Sequence, residues 1–203
     1  MAKLCGGQDL SLFVEGTSSD AASHRLARAF DSGQGGAPQL VVVYDDSTAT
    51  GCIGGEAVYQ VSSSRDNLEE DYRGYESTGS ELTFSDYYNN YIGIRFQNIN
   101  IPQGATITEA YLEFTAYDTY RYSGASMQIQ AVANDDADDF YPNYRHQLRD
   151  LDKTSGVTWS MPSFRRYSDY TSPDLSSIVS DIVNRPGWEP GNAMAFVFSD
   201  FTS

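Results

Sequence analysis

A chain of 203 residues with 40% hydrophobic content can enclose one sizeable core, and all-β domains of this length are often single. Its 13 Lys and Arg stand against 28 Asp and Glu, a formal net charge of −15 that argues against nucleic acid and anionic membranes as partners. Fifteen Tyr and ten Phe argue against disorder, and no apolar run reaches the roughly 18 residues of a membrane span, so no membrane insertion is expected.

The opening residues, MAKLCGGQDLSLF, lack the long apolar core of a signal peptide; either a leader has been removed or the sequence is a piece of a longer chain. Leu10, Leu12 and Val14 alternate along 9–16 and predict a strand. SSDAASHRLARAF reads either as a short helix or as a strand carrying Leu26 and Ala27. QLVVVYD is apolar on both parities, which predicts a central strand. Residues 56–61 predict another strand, 62–80 read as polar turns, and 81–86 as a short strand.

Residues 91–118 are the centre of the pattern. Ile92, Ile94 and Phe96 fall on one face of a first strand, and Ala110, Leu112 and Phe114 on one face of a second. Pro102 and Gly104 punctuate the connection, and the pair reads as a hairpin. Met127, Ile129 and Ala131 mark the next strand; 141–156 are irregular, and VTWS is a short strand with Trp159 inward. One helix is expected over about 173–184. Thr171 serves as its cap, Pro173 and Asp174 lie in its first turn, and Leu175, Ile178, Val179, Ile182 and Val183 form its apolar stripe. Pro186 and Gly187 end it, and Met194, Phe196 and Phe198 mark a last strand. The fold class expected is all-β: a jelly-roll-like β-sandwich with one short helix, in a single domain over 1–203.

The two ends of the chain resemble each other. GQDLSLFVEG near the N-terminus and GNAMAFVFSD near the C-terminus share a Gly, an amide residue and one apolar alternation. Three readings stand: residues 7–45 complete the same sandwich in a permuted order, they complete that of a neighbouring subunit by strand complementation, or the likeness is accidental.

The stretches DNLEEDYRG, GSELTFSD, IGIRFQNINIPQGATITEAYLEFTA and IVNRPGWEPGNA together resemble a domain common in large secreted and cell-surface proteins of bacteria. They resemble more loosely the jelly-roll carbohydrate-binding modules found beside polysaccharide lyases. The likeness covers nearly the whole chain and is weaker around 134–170. In the family pattern the segment like HRLARAF and APQLVVVY follows the one like GNAMAFVF; here it precedes it. The resemblance implies an extracellular or cell-surface β-sandwich accessory domain, and it transfers no catalytic residues.

Two kinds of site follow from residue chemistry. Calcium takes six to eight oxygen ligands, often from separate loops. Its candidate ligands are Glu69, Glu70, Asp118, Asp135 and Asp136, and the competing reading is a solvated acidic surface. Tyr87, Tyr88, Tyr91, Tyr117, Tyr120 and Tyr122 flank the central pair of strands. Their rings could stack on a polysaccharide, form a contact with another copy or a neighbouring domain, or pack under loops. Cys5 and Cys52 either form one disulfide or remain thiols. His24 and His146 are the two histidines; no G-x-S-x-G elbow occurs, and GCIGG precedes an apolar run without Lys. No catalytic residue is assigned. The expected role is structural, as a repeating subunit of a surface filament or layer stabilised by calcium, with a carbohydrate-binding module as the alternative.

Overall fold

The computed structural model describes residues 25–29, 31, 36–45, 55–71, 73–74, 76–84, 91–120, 124–141 and 145–202. The expected strand at 9–16, and Cys5, His24, Cys52, Tyr87, Tyr88 and Tyr122, lie outside the described residues.

The described strands form three antiparallel sheets, and the apolar faces of the two larger ones meet in the main core. The larger sheet has six strands. Val157–Ser160 (β10), Ser126–Ala131 (β9), Met194–Thr202 (β12), Tyr91–Phe96 (β7), Asn67–Glu70 (β4) and Glu76–Ser77 (β5) follow one another across it. The smaller has four: Asp169–Thr171 (β11), Thr106–Thr115 (β8), Gln39–Asp45 (β2) and Gly55–Gln60 (β3). Arg25–Arg28 (β1) pairs with Glu81–Phe84 (β6), and an isolated bridge from Ala27 to Ala116 ties this pair to the end of β8. The chain is an all-β sandwich. The segment around HRLARAF is therefore a strand at Arg25–Arg28, and QLVVVYD is central, flanked by β8 and β3.

The central pair of strands is not a hairpin. β7 pairs with β12 and β4 in one sheet, while β8 pairs with β2 and β11 in the other. Ile92, Ile94 and Phe96 thus face Ala110, Leu112 and Phe114 across the core, each set fully buried. Alternation fixes which side of a strand is buried but not which strand lies beside it. The 97–105 connection carries the chain over the end of the sandwich. There the two motif segments lock together. Trp188 Nε1 donates to the Ile101 carbonyl (2.9 Å), and Gln103 Nε2 donates to that of Arg185 (2.6 Å). The Gly191 N–H donates to the Ile99 carbonyl (2.9 Å), and the Ile99 N–H to that of Asn192 (3.0 Å).

Aromatic side chains from both sheets fill the middle of the core. Phe84 packs on Phe114 (5.4 Å between ring centroids) and Phe198 (5.5 Å), and Trp159 stacks on Phe114 (5.7 Å). Such pairs add about 0.5–1.5 kcal/mol each beyond their buried area. At one end Ser176–Val183 (α2) closes the core with Ile178, Val179, Ile182 and Val183. It starts later than Thr171 and Pro173 imply. The Asp174 carboxylate accepts the Ser176 N–H (3.0 Å) and the Ala110 N–H (3.1 Å), and so fixes the chain just before the helix to β8.

The six-stranded sheet is covered on its other face too. A second apolar cluster joins Leu68, Ala195 and Val197 to Val132, Ala137, Phe140 and Leu148. This explains why GNAMAFVF is apolar on both parities. Gly93 makes the close approach possible, since a Cβ there would meet Leu148 Cδ2 at 2.5 Å. Leu148 belongs to a one-turn helix, Gln147–Asp150 (α1), absent from the sequence expectation; Lys153 Nζ donates to the Leu148, Arg149 and Leu151 carbonyls at its end.

Candidate functional site

The carboxylates singled out as calcium ligands are held at separate places. Glu69 and Glu70 are neighbours on β4 and therefore point to opposite faces of the sheet. Glu69 lies on the face toward β6 and accepts the Thr83 N–H. Burial pushes its carboxyl up to about 7, Thr83 opposing and Glu81 adding to the shift. Glu70 is fully buried on the other face. Its Oε2 accepts the Leu148 N–H at 2.7 Å, and His146 Nδ1 lies 3.7 Å from its Oε1. His146 adopts a left-handed backbone, φ 64°, and its ring packs on Gly74, where a Cβ would lie 2.7 Å from Cε1. This arrangement docks α1 onto the sheet.

Asp135 pairs with Arg185 Nε (2.5 Å), and its backbone carbonyl accepts from Asn192 Nδ2 (3.0 Å). Asp136 Oδ1 accepts the Ala193 N–H (2.8 Å). Both hold the segment after β9 against the start of β12. Asp118 is exposed at the far end of β8 and accepts the Thr119 N–H. Arg185, beside Asp135, also contacts Gln103 just before β8, so the ten residues of β8 separate the two carboxylates by roughly 33 Å at ~3.3 Å per residue. The five do not fit one ion, and no group of three or more His, Cys, Asp or Glu side chains suited to a metal occurs among the described residues.

Asp66 is the most constrained carboxylate. It is fully buried, receives Arg95 Nη1 (2.8 Å) and Gln97 Nε2 (2.7 Å), and its backbone carbonyl accepts the Arg95 N–H (2.8 Å). Arg95 Nε donates onward to the Ala137 carbonyl (2.7 Å). The pair ties the 62–66 turn and the 132–140 segment to β7.

The tyrosines divide similarly. Tyr91 is half-buried against the second cluster. Tyr120 is half-buried against the main core, and its backbone exchanges hydrogen bonds with Phe164 (2.8 and 2.9 Å). Burial, then Asp118 and Glu81, raises its hydroxyl above the ordinary value. Tyr117 is half-buried, and its carbonyl accepts Arg166 Nε (3.2 Å).

The most open large ring is one the sequence reading passed over. Tyr167 is 60% exposed, the highest value among the exposed large hydrophobic side chains of the described residues. The guanidiniums of Arg166 and Arg28 lie over it, 4.6 and 5.3 Å from the ring centroid. Its backbone is left-handed, φ 64°, a conformation that costs a non-glycine residue about 1–3 kcal/mol. The loop compensates by pinning itself to the end of β8. The Tyr167 N–H donates to the Ala116 carbonyl (2.8 Å), the Ala116 N–H to the Ser168 carbonyl (2.9 Å), and the Arg166 N–H to Thr119 Oγ1 (3.0 Å). The signal was the adjacent Arg165–Arg166–Tyr167 in a chain short of cations.

A second, partly open surface is the outer face of the four-stranded sheet, where Glu56, Val58 and Glu109 are exposed and Val41 is buried. Register puts Val58, Val41 and Tyr111 in one row, with Glu56, Val43 and Glu109 beside them and Glu113 opposite Gln39. Val58 is 47% exposed. Burial, then Glu56, Glu109 and Glu113, raises the Tyr111 hydroxyl, as expected of carboxylates gathered on one face.

Comparison with models of known families, with curated proteins and with solved structures finds no match for the chain.

Proposed function

We propose that this β-sandwich is a non-catalytic structural domain of the cell surface or extracellular space that assembles with further copies into a layer or filament. The observation that carries the reading is the use of its buried carboxylates. Asp66 and Glu70 each hold a distant segment onto the large sheet, while the more exposed Asp135 and Asp136 do the same at its margin. Catalysis by acid and base groups draws on ionisable side chains that converge on a cleft; these serve packing instead. An open sheet face and an open Arg–Tyr cluster suit contact with another macromolecule. The resemblance to surface-protein domains points the same way. No calcium site is part of the proposal, because the carboxylates considered for it lie apart.

Size-exclusion chromatography with light scattering tests the reading. A mass that grows with concentration supports assembly, and a constant monomer mass across the accessible range rejects it. A carbohydrate-binding module is the second reading, favoured by the exposure of Tyr167, whose ring could stack on a sugar. Glycan binding by a constant monomer, lost in Tyr167→Ala, would establish the module instead.

A further inference from the structure

The two open surfaces are complementary in charge. The outer face of the four-stranded sheet carries Glu56, Glu109 and Glu113 around exposed Val58 and half-buried Tyr111, with Val41 buried between them. None of its four strands contains a Lys or Arg to neutralise them. Glu56, Val58 and Glu109 on this face are exposed, whereas the outer face of the six-stranded sheet is packed under Val132, Ala137, Phe140 and Leu148. The Tyr167 cluster offers the opposite chemistry. Among the described residues Arg28, Arg165 and Arg166 form no ion pair, although Arg65, Arg73, Arg95, Arg149 and Arg185 each do. In a chain with 28 acidic side chains, guanidiniums left without a carboxylate at an open, backbone-pinned loop stand out.

We propose that the Arg28–Arg165–Arg166–Tyr167 cluster of one copy docks on the acidic outer face of the four-stranded sheet of a second copy. The contact rests on the assembly reading and names its interface. Because the two surfaces differ, the contact is heterologous: it repeats head to tail and builds an open chain of copies unless the rotation closes a ring. Tyr167 reaches the exposed Val58 and the rim of Tyr111, while the guanidiniums meet the flanking carboxylates, with Arg able to engage each in a bidentate fork. The face spans four strands ~4.8 Å apart and about six residues of ~3.3 Å, roughly 300 Å² in projection. A standard interface takes about 800 Å² from each partner. The single contact is therefore weak and concentration-dependent, and many copies are needed to hold an assembly.

Sedimentation velocity on the full chain tests this with paired charge reversals. The wild-type protein is expected to show a sedimentation coefficient that rises through the micromolar range. Arg165→Glu with Arg166→Glu, and separately Glu109→Lys with Glu113→Lys, should each weaken association at least tenfold. An equimolar mixture of the two variants should restore it, since each then presents a surface the other can bind. All four positions are at least partly solvent-exposed, and an unchanged circular-dichroism melt verifies folding. The milder Glu109→Gln with Glu113→Gln, and Arg166→Gln, should weaken association less, in the same direction. Wild-type association that survives both reversals, or a mixture that stays dissociated, overturns the interface but leaves the assembly reading intact. A wild-type chain that stays monomeric overturns both. So does a monomer that binds an acidic polysaccharide through Arg166, which would make the cluster a glycan site.

Discussion

Glu69→Gln isolates one half-buried carboxyl and gives a signed, sizeable change in stability. The folded protein holds the Glu69 proton up to about pH 7, because burial raises the group from its ordinary 4.5. An unfolded chain releases that proton near 4.5. Between these values the native state binds more protons than the unfolded state, so stability falls as pH rises. The contribution is fully present below pH 4.5 and is lost by the time pH passes about 7. At roughly 1.4 kcal/mol per unit, the rise corresponds to about 3 kcal/mol as an upper figure. Urea unfolding at intervals from about pH 4.5 to 8 supplies the assay, with the difference between wild type and Glu69→Gln as the readout, since that difference cancels the other titrating groups. The substituted amide retains a carbonyl to accept the Thr83 N–H but cannot ionise. The wild type should lose up to about 3 kcal/mol relative to the variant across this window. A difference that is flat with pH, or that grows in favour of the wild type as pH rises, would refute the assignment of a half-buried carboxyl with a raised pKa to this face of β4.

Substitutions at two further sites test the packing. Arg95→Met leaves Asp66 buried without its cation and should cost about 3–5 kcal/mol in urea unfolding, whereas Arg95→Met combined with Asp66→Leu should recover much of that loss; equal cost in the single and double variants would remove the ion pair from the account. Gly93→Val places side-chain atoms where Leu148 and Phe140 now sit, and about 1–3 kcal/mol of destabilisation by thermal or urea unfolding is expected, with α1 loosened first in hydrogen exchange.

Strands whose alternation reports a single apolar core were legible from sequence. β7, β8 and β9 place Ile94, Leu112 and Ile129 inward as the pattern requires, and α2 buries its whole stripe. β4 was not legible, because its sequence, NLEE, buries the polar Asn67 and Glu70 along with a single apolar residue, Leu68. Glu70 is accommodated there by the Leu148 N–H, 78 residues away, and no local pattern announces such a partner. β11 is three residues long and declares itself only through pairing with β8. The supposed hairpin failed for a related reason: β7 and β8 bury residues toward the same core from opposite sheets. Period two alone separates Glu69 from Glu70, so that part of the ligand set could have been set aside from the strand assignment. The helix starts at Ser176, later than Thr171 implied, because Asp174 is held to β8 through the Ala110 N–H just before it. Legibility was poorest at the surface, where Arg28 and Arg166 come from segments far apart in sequence and meet only over Tyr167.

Negative-stain electron microscopy of the full chain, concentrated stepwise from micromolar to near-millimolar, addresses the assembly claim most directly. Ordered strings or sheets of copies are predicted at the upper concentrations, and they should dissolve in the Arg165→Glu, Arg166→Glu variant. Isolated particles of single-copy size at every concentration would contradict the claim.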